Sequence, residues 1–345
     1  MARPRIKDVA LRAGVSEKTV SNVLNDYVHV SERTRQAVRE AIEELGYRVN
    51  LAGRHLRRGR TGIIALVVPE LDIPYFAALA NQIIAEAERN GLTVLVHRTR
   101  ADRAHELAAL DGFNSDFADG VILSPLALTA ADLRERRGTL PAVLLGEAIE
   151  PGCADHVAID NVRAAREATE HLLALDRRRV ITIGGREAPG PGTAETRTRG
   201  YLAALADAGL PHDPAAVLPV REFRMPDGAA ATAAALDAGL RPDALLCLND
   251  QLALGALRLL HERGLRVPED VAVVGFDDVE GGRFSVPTLT TIAPDTGAVA
   301  REAMGLLLTR IAESGDADAE PPRERVVPHR LVIRESTGGR SGTAL

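Results

Sequence analysis

Apolar residues recur along this 345-residue chain with two different periods, and the change between them divides it. In the first fifty residues the spacing is helical. Ile6, Val9 and Ala10 make one stripe, and Val20, Val23 and Leu24 make a second. Gly14 between them permits a sharp left-handed turn, and Ser16 is placed to cap the second helix by accepting from its free amides. The second stripe leaves Glu17, Lys18, Ser21 and Asn22 on the outer face. Two short helices joined by a glycine turn predict a helix-turn-helix, although an ordinary helical hairpin has the same pattern. A third helix separates the two readings. Ser31 is its N-cap, Thr34, Val38, Ala41, Ile42 and Leu45 share one face, and Gly46 stops it. It gives the first two helices a surface to pack against, which a lone hairpin lacks.

From Gly62 onward short apolar runs alternate with amphipathic stretches of helix length. The predicted strands are GIIALVV, LTVLVH, GVILS, AVLL, RVITIGG, ALLCL and VAVVGF. The predicted helices span Tyr75–Asn90, Val162–Leu175, Arg197–Ala208, Gln251–Gly264 and Thr296–Ile311. Nearly continuous apolar strands alternating with helices indicate doubly wound parallel sheets. Strands on both sides of Asp160–Asn161 indicate two similar α/β lobes. Open parallel sheets bind ligands beyond the carboxyl ends of their strands. The residues there are Asp72, Pro74, Tyr75 and Phe76; Asp160 and Asn161; Thr196, Arg197 and Arg199; Asn249 and Asp250; and Phe276, Asp277 and Asp278. Aromatic faces, carboxylates, an amide and guanidinium groups together can bracket a small polyhydroxylated or heterocyclic molecule. A single strand-end aspartate is more often a helix cap or turn former, but the set recurring at strand ends favours a pocket.

Composition narrows the partners. Hydrophobic residues make up 46% of the chain, but Trp is absent and aromatics are 3%, so the cores rest on aliphatic packing. The net charge of −6 argues against a nucleic-acid partner until it is divided. Residues 1–60 hold 13 Lys and Arg against 7 Asp and Glu, net +6, which leaves the remainder at −12. A basic head on an acidic body suits local phosphate binding, because charge acts within about one Debye length, ~8–10 Å. Cys153 and Cys247 stand far apart without a CxxC, so neither a metal site nor a disulfide framework is indicated. The N-terminus MARPRIKDV has no apolar signal region and no run approaches ~18 apolar residues, so the expectation is a soluble cytoplasmic protein with no membrane partner. Neither GxxxxGK[ST] nor GxSxG occurs, there is no His/Cys cluster, and GGREAPGPGT lacks the GxGxxG spacing. No enzyme, cofactor or metal is therefore expected. A solute-binding protein suits the body alone but not the basic head.

The run IKDVA, AGVS, TVS, VLN, followed by VSERTR, ELGY and the RxL of Arg54 to Leu56, resembles the lactose/galactose repressor family of bacterial transcription regulators. In the body NDQLALGAL, VVGFDD, TRTRGY and AIDN resemble its effector-domain segments, so the resemblance covers the whole chain. It implies an α/β fold with an N-terminal all-α helix-turn-helix head and two doubly wound parallel-sheet lobes resembling periplasmic sugar-binding proteins. The implied domains are a head at 1–49, a hinge at 50–61 and an effector-binding and dimerisation domain at 62–340. Within the last, lobe 1 takes about 62–160 and 290–320, and lobe 2 about 161–289 and 321–340. The implied partners are a near-palindromic double-stranded operator, a small-molecule effector (a sugar or sugar derivative) and a second copy of the chain. A helical zipper is absent after Glu335, which implies a dimer and no tetramer.

The second helix of a helix-turn-helix enters the major groove. There Lys18 can donate to guanine and Asn22 can pair with adenine, where many relatives carry Arg. Glu17 either accepts from cytosine or serves as a first-turn acid favoured by the helix dipole. Thr19 and Ser21 are available for methyl or phosphate contacts, and Tyr27 and His29 either touch backbone or pack. Lys7, Arg54 and Arg57 complete the DNA-facing set. By resemblance Arg199, Asn249 and Asp277 contact the effector and Phe76 stacks on it. Asp72, Tyr75, Glu147, Asp160 and Arg197 join them from the strand ends. Gly146 stands where sugar-responsive relatives often carry Asp, which leaves open which hydroxyls Glu147 beside it reads.

Residues 50–58 are too short for a stable helix in water alone. In the family resembled, this linker folds on DNA against its dimer mate and drives a leucine into the minor groove; Leu56 matches that leucine. Such a wedge costs a few kcal/mol of unstacking and yields a kinked duplex with more contacts. Gly53 replaces a common Ala at a cost of about 1 kcal/mol in helix propensity, making the hinge more dependent on DNA and on the dimer. Leu56→Ala should therefore weaken specific operator binding while the head stays folded. Unchanged operator binding in a gel-shift titration would remove the wedge from consideration.

Overall fold

The computed structural model describes residues 4–24, 27, 29–47, 60–112, 117–136, 138–147, 152–186, 192–211, 213–314 and 320–339. Arg54, Leu56 and Arg57 of the expected hinge lie outside them. Two compact units emerge, Met1–Thr61 and Gly62–Leu345.

The first unit is built from α1 (Ile6–Ala13), α2 (Glu17–Leu24) and α3 (Glu32–Leu45). Gly14 ends α1 at φ 67°, and the Ser16 hydroxyl starts α2 by accepting from the Thr19 amide at 3.1 Å. Ser31 caps α3 in the same way. The stripes converge: Val9, Ala10, Val20, Val23, Val38 and Ala41 form one buried core, with Ile6, Leu24, Ile42 and Leu45 packed around it.

The second unit holds two six-stranded sheets. In chain order the first lobe begins with β1 (Ile63–Val68), α4 (Pro74–Arg89), β2 (Thr93–Arg98) and α5 (Arg103–Gly112). It continues with β3 (Gly120–Leu123), α6 (Ala130–Glu135), β4 (Ala142–Leu145) and β5 (Asp155–Ile159). The chain then crosses to the second lobe through α7 (Asn161–Ala174), β6 (Val180–Ile183), α8 (Thr193–Asp207), β7 (Val217–Leu218) and α9 (Met225–Asp237). After these come β8 (Ala244–Cys247), α10 (Asp250–Glu262), β9 (Ala272–Phe276), α11 (Glu280–Arg283) and β10 (Thr290–Pro294). It returns to the first lobe for α12 (Thr296–Ala312) and β11 (Glu324–Val327) and ends in the second with β12 (His329–Val332).

Strand orders are β11-β5-β4-β3-β1-β2 and β12-β10-β9-β8-β6-β7. Both sheets reverse direction of growth beside their first strand, as doubly wound sheets do. All pairs are parallel except β10 with β12. Central strands such as β3, β8 and β9 are buried along their whole length, which explains their unbroken apolar runs.

The expected lobe boundaries need correction. Thr290–Pro294 pairs with β9 in the second sheet, not the first, and Glu324–Val327 pairs with β5 in the first, not the second. Short strands bear no mark of which sheet they complete; backbone pairing with strands distant in sequence decides it. The chain consequently crosses between lobes three times, each through one residue: Asp160, Asp295 and Pro328. Both aspartates cap the helix that follows, accepting from the Arg163 and Ala298 amides. These connections bring the carboxyl ends of the two sheets to a common cleft.

Helix pairs cover the sheets, and α9 and α10 approach so closely that only glycine fits at their crossing. A Cβ on Gly228 would lie 2.1 Å from the Leu252 carbonyl oxygen, and one on Gly255 1.9 Å from that of Met225. Gly255→Ala should force the pair apart and destabilise the second unit by about 1–3 kcal/mol. Thermal unfolding should show that transition shifting down while the transition of the head stays in place; an unshifted midpoint would contradict the contact.

Candidate functional site

Two groups of residues carry the chemistry, one in each unit. In the head, Lys7, Glu17 and Lys18 are exposed, while Thr19, Ser21 and Asn22 are half-buried along α2. The Thr19 hydroxyl lies 2.9 Å from that of Ser16 at the helix start. Tyr27 and His29 pack edge to face with ring centroids 5.4 Å apart, and the Tyr27 carbonyl accepts from Arg35. Val20 and Val23 are buried on the face opposite Lys18, so burial of the stripe is what turns the polar residues outward.

In the body the cleft is organised around Arg197. Its guanidinium carbon lies 3.4 Å from the centre of the Phe276 ring at the end of β9. Its Nε donates to Asn161 Oδ1 at 2.8 Å, and its Nη1 donates to the Leu248 carbonyl. Asn161 in turn donates through Nδ2 to Glu147 Oε1 at 2.6 Å. Asp277 and Tyr75 lie within electrostatic reach of the same guanidinium. The Tyr75 ring meets Phe76 edge to face at 5.3 Å, and Phe76 is half-buried against the core. Tyr75 and Glu147 come from the first lobe; Asn161, Arg197, Phe276 and Asp277 come from the second. Among the described residues, the Asp277 carboxylate, the Tyr75 hydroxyl and Arg197 Nη2 accept or donate no hydrogen bond within the protein. They hold the hydrogen-bonding capacity that a ligand can use.

Burial sets the electrostatics. It raises the carboxyl of Asp277 to about 7, with Arg197 pulling the other way. Asp250 is driven to about 8, first by burial and then by the charge of Asp277. Its two oxygens accept from Thr291 Oγ1 at 2.6 Å and the Val279 amide at 2.8 Å. The Tyr75 hydroxyl is pushed up by burial and by Asp277, and the guanidinium of Arg197 is pushed down by burial. Asp277 also sits at φ 111°, outside the usual range for a side-chain-bearing residue. The neighbouring Asp278 is occupied differently, held by Arg334 at 2.6 Å and Arg283 at 2.8 Å. No group of three or more His, Cys, Asp or Glu among the described residues is arranged to hold a metal ion.

Several residues selected from the sequence lie elsewhere. Arg199 is a correction: it is exposed and pairs with Glu195 on its own helix at 3.4 Å. Two residues on a helix point about 200° apart, so when Arg197 enters the cleft Arg199 must leave it. Asp72 is exposed and bonded bidentately to Arg224 of the second lobe at 2.7 and 3.1 Å, which holds its carboxyl below the ordinary range. Asn249 is spent on structure, capping α10 at the Leu252 amide and donating to the Phe223 carbonyl. Asp160 is the exposed cap at the crossover. Asn161 stands among the strand-end residues of the sequence without a role of its own, and Arg224 had no signal in sequence, since the strand before it is two residues long.

A helix-turn-helix head and a two-lobed body with ligand-type chemistry between its lobes define a class, the transcription regulator. Likeness to known proteins makes it specific. Residues 5–50 match the bacterial regulatory proteins of the lacI family, and residues 169–337 match the periplasmic binding protein-like domain. The transcriptional repressor CytR of Escherichia coli strain K12 is 33% identical over 333 residues, 96% of each chain. The lac repressor dimer bound to operator and the anti-inducer ONPF has a TM-score of 0.83 at 26% identity, covering 97% of this chain and 99% of that one. The regulator CelR in complex with cellobiose has a TM-score of 0.71 at 33% identity, covering 97% and 100%. The chain belongs to the LacI family of bacterial transcription regulators. No helix among the described residues is long and apolar enough to cross a membrane.

An acid raised by folding binds its proton more tightly folded than unfolded. Its contribution is therefore complete below the ordinary carboxylate range and is lost as pH rises toward 7 for Asp277 and 8 for Asp250. The two should titrate as a coupled pair. The thermal midpoint of the second unit should fall by a few degrees across that interval, and Asp277→Asn should flatten part of the decline. Identical slopes for both proteins would contradict the burial of this carboxyl.

Proposed function

We propose that this protein is a repressor that binds a near-palindromic operator as a homodimer in the cytoplasm. A small polar effector, a sugar or sugar derivative held between the lobes, sets its operator affinity. The observation that carries the effector half is the unspent donor and acceptor set on the cleft walls: Arg197 Nη2, the Asp277 carboxylate and the Tyr75 hydroxyl. A carboxylate and a phenol can take hydroxyl protons while the guanidinium donates to a ring or hydroxyl oxygen. Half-buried Phe76 supplies an apolar face. The cellobiose complex of CelR supports this ligand class, and the operator-bound lac repressor dimer supports the DNA half. The cleft residues bind and orient the effector without transforming it.

On the DNA side Lys18 and Asn22 are assigned to base edges, with Glu17 beside them, and Lys7, Thr19, Ser21 and His29 to phosphate or positioning contacts. Arg54 and Arg57 add phosphate contacts and Leu56 the minor-groove wedge. Effector and operator each bias one two-state dimer, so their coupling is reciprocal.

An unusual composition provides the test. Lys7 and Lys18 are the only lysines in the chain; every other basic side chain that is permanently charged is Arg. Amine-selective acetylation of the full chain therefore modifies these two and the amino terminus. A duplex selected from a random library should protect Lys18 by about tenfold or more, and a scrambled duplex of equal length should not. Equal acetylation with both duplexes would refute base reading by Lys18. Sugars can then be scored by their effect on that complex. Arg197→Gln and Asp277→Asn should remove the response and leave ligand-free duplex binding in place; a retained response would move the effector site elsewhere.

A further inference from the structure

The buried amide of Asn161 stands at the first of the three crossovers and joins residues of opposite lobes. It is 4% exposed. Its Nδ2 donates to Glu147, which follows the last residues of β4 in the first lobe, and its Oδ1 accepts from Nε of Arg197, on α8 of the second. Both ends of one carboxamide are thus used, and both partners are charged. Such hydrogen bonds are shorter and stronger than neutral ones. The Glu147 loop depends on lobe 1: the Gly146 amide donates to Val157 of β5, and His156 of the same strand lies 2.6 Å from the Gly146 carbonyl. Arg197 is fixed on its other side by Leu248 and Phe276, both of lobe 2.

We propose that Asn161 is a positioning residue that makes the aim of Arg197 depend on the angle between the lobes. A rotation that draws the Glu147 loop away from the crossover frees the Asn161 amide. Arg197 then loses the acceptor that directs its Nε, and Nη2 no longer points at a fixed place. Effector grip and lobe angle are therefore linked through three side chains, with the short lever of a group beside the hinge. The proposal rests on the cleft being the effector site, and it adds how that site senses closure.

The geometry allows a swap that a merely structural asparagine would not follow. Asn161→Asp keeps an acceptor for Arg197 but sets a carboxylate against Glu147. If Asn161 served only to start α7, an aspartate at this first helical position would be favourable and the variant as stable as the parent or better. In the double variant Glu147→Gln with Asn161→Asp the donor and acceptor change places. The new carboxamide at position 147 donates, the new carboxylate at position 161 accepts from it and from Arg197, and the net charge is restored. The readout is amide hydrogen exchange of the full chain without DNA or sugar, in peptides covering 142–147 and 193–200. Asn161→Asp should speed exchange in both by about tenfold, Glu147→Gln alone by less than about twofold, and the double variant should return near the parent rate. Parent-like exchange in Asn161→Asp, or a double variant as fast as Asn161→Asp, would overturn the proposal. Because the measurement needs neither operator nor effector, it can fail while duplex protection at Lys18 succeeds, and the reverse.

Discussion

A guanidinium largely withdrawn from water is the constraint around which the body of this protein is arranged. Burial alone would weaken the charge of Arg197; Asp277, Tyr75, Glu147 and Asp250 together oppose that. Its planar edge is met by the Asn161 and Leu248 oxygens, and its face by the Phe276 ring. Removing one partner of a half-buried charge leaves donors unmet, so none of these groups is free to vary independently. They come from the ends of different strands and helices in two lobes. Holding one arginine therefore demands that both sheets present their carboxyl ends to the same place.

The connections between the lobes meet that demand. Three crossovers of one residue each leave little freedom except rotation, and the Asp295 amide donates to the Pro328 carbonyl, tying two of them together. Capping by Asp160 and Asp295 makes the start of α7 and of α12 part of the crossover itself. Away from these, the Asp72–Arg224 pair links the lobes through exposed side chains. Screened by solvent, it is weaker than the buried contacts around Arg197. Rigid connections beside the hinge and a soft one between exposed groups suit a body with two related arrangements.

Local rules carried the reading of the sequence a long way. The head was legible because Gly14, Ser16, Ser31 and Gly46 act within one helical turn, and because Val9, Val20, Val23 and Val38 fall on stripes of helical period. The long helices were placed to within a few residues for the same reason. Strands were harder. DHVAI, TTIAP, ERVV and HRLV are short and mixed, and their stability comes from neighbours distant in sequence. Arg197 and Arg199 looked alike as residues after a strand; a rotation of about 200° on one helix gave one to the cleft and the other to water.

By itself, then, the sequence determined a basic three-helix head, an acidic body of alternating strands and helices, and a pool of polar residues at strand ends. Each follows from spacing, capping or charge within a few residues. Tertiary structure alone decided which sheet receives Thr290–Pro294 and Glu324–Val327, which arginine enters the cleft, and that Asn249, Asp160 and Asp72 are already spent on other partners. It also decided that Asn161 joins Glu147 to Arg197. Those outcomes depend on contacts between residues far apart in the chain, where backbone pairing and desolvation of charge have no signature in local pattern.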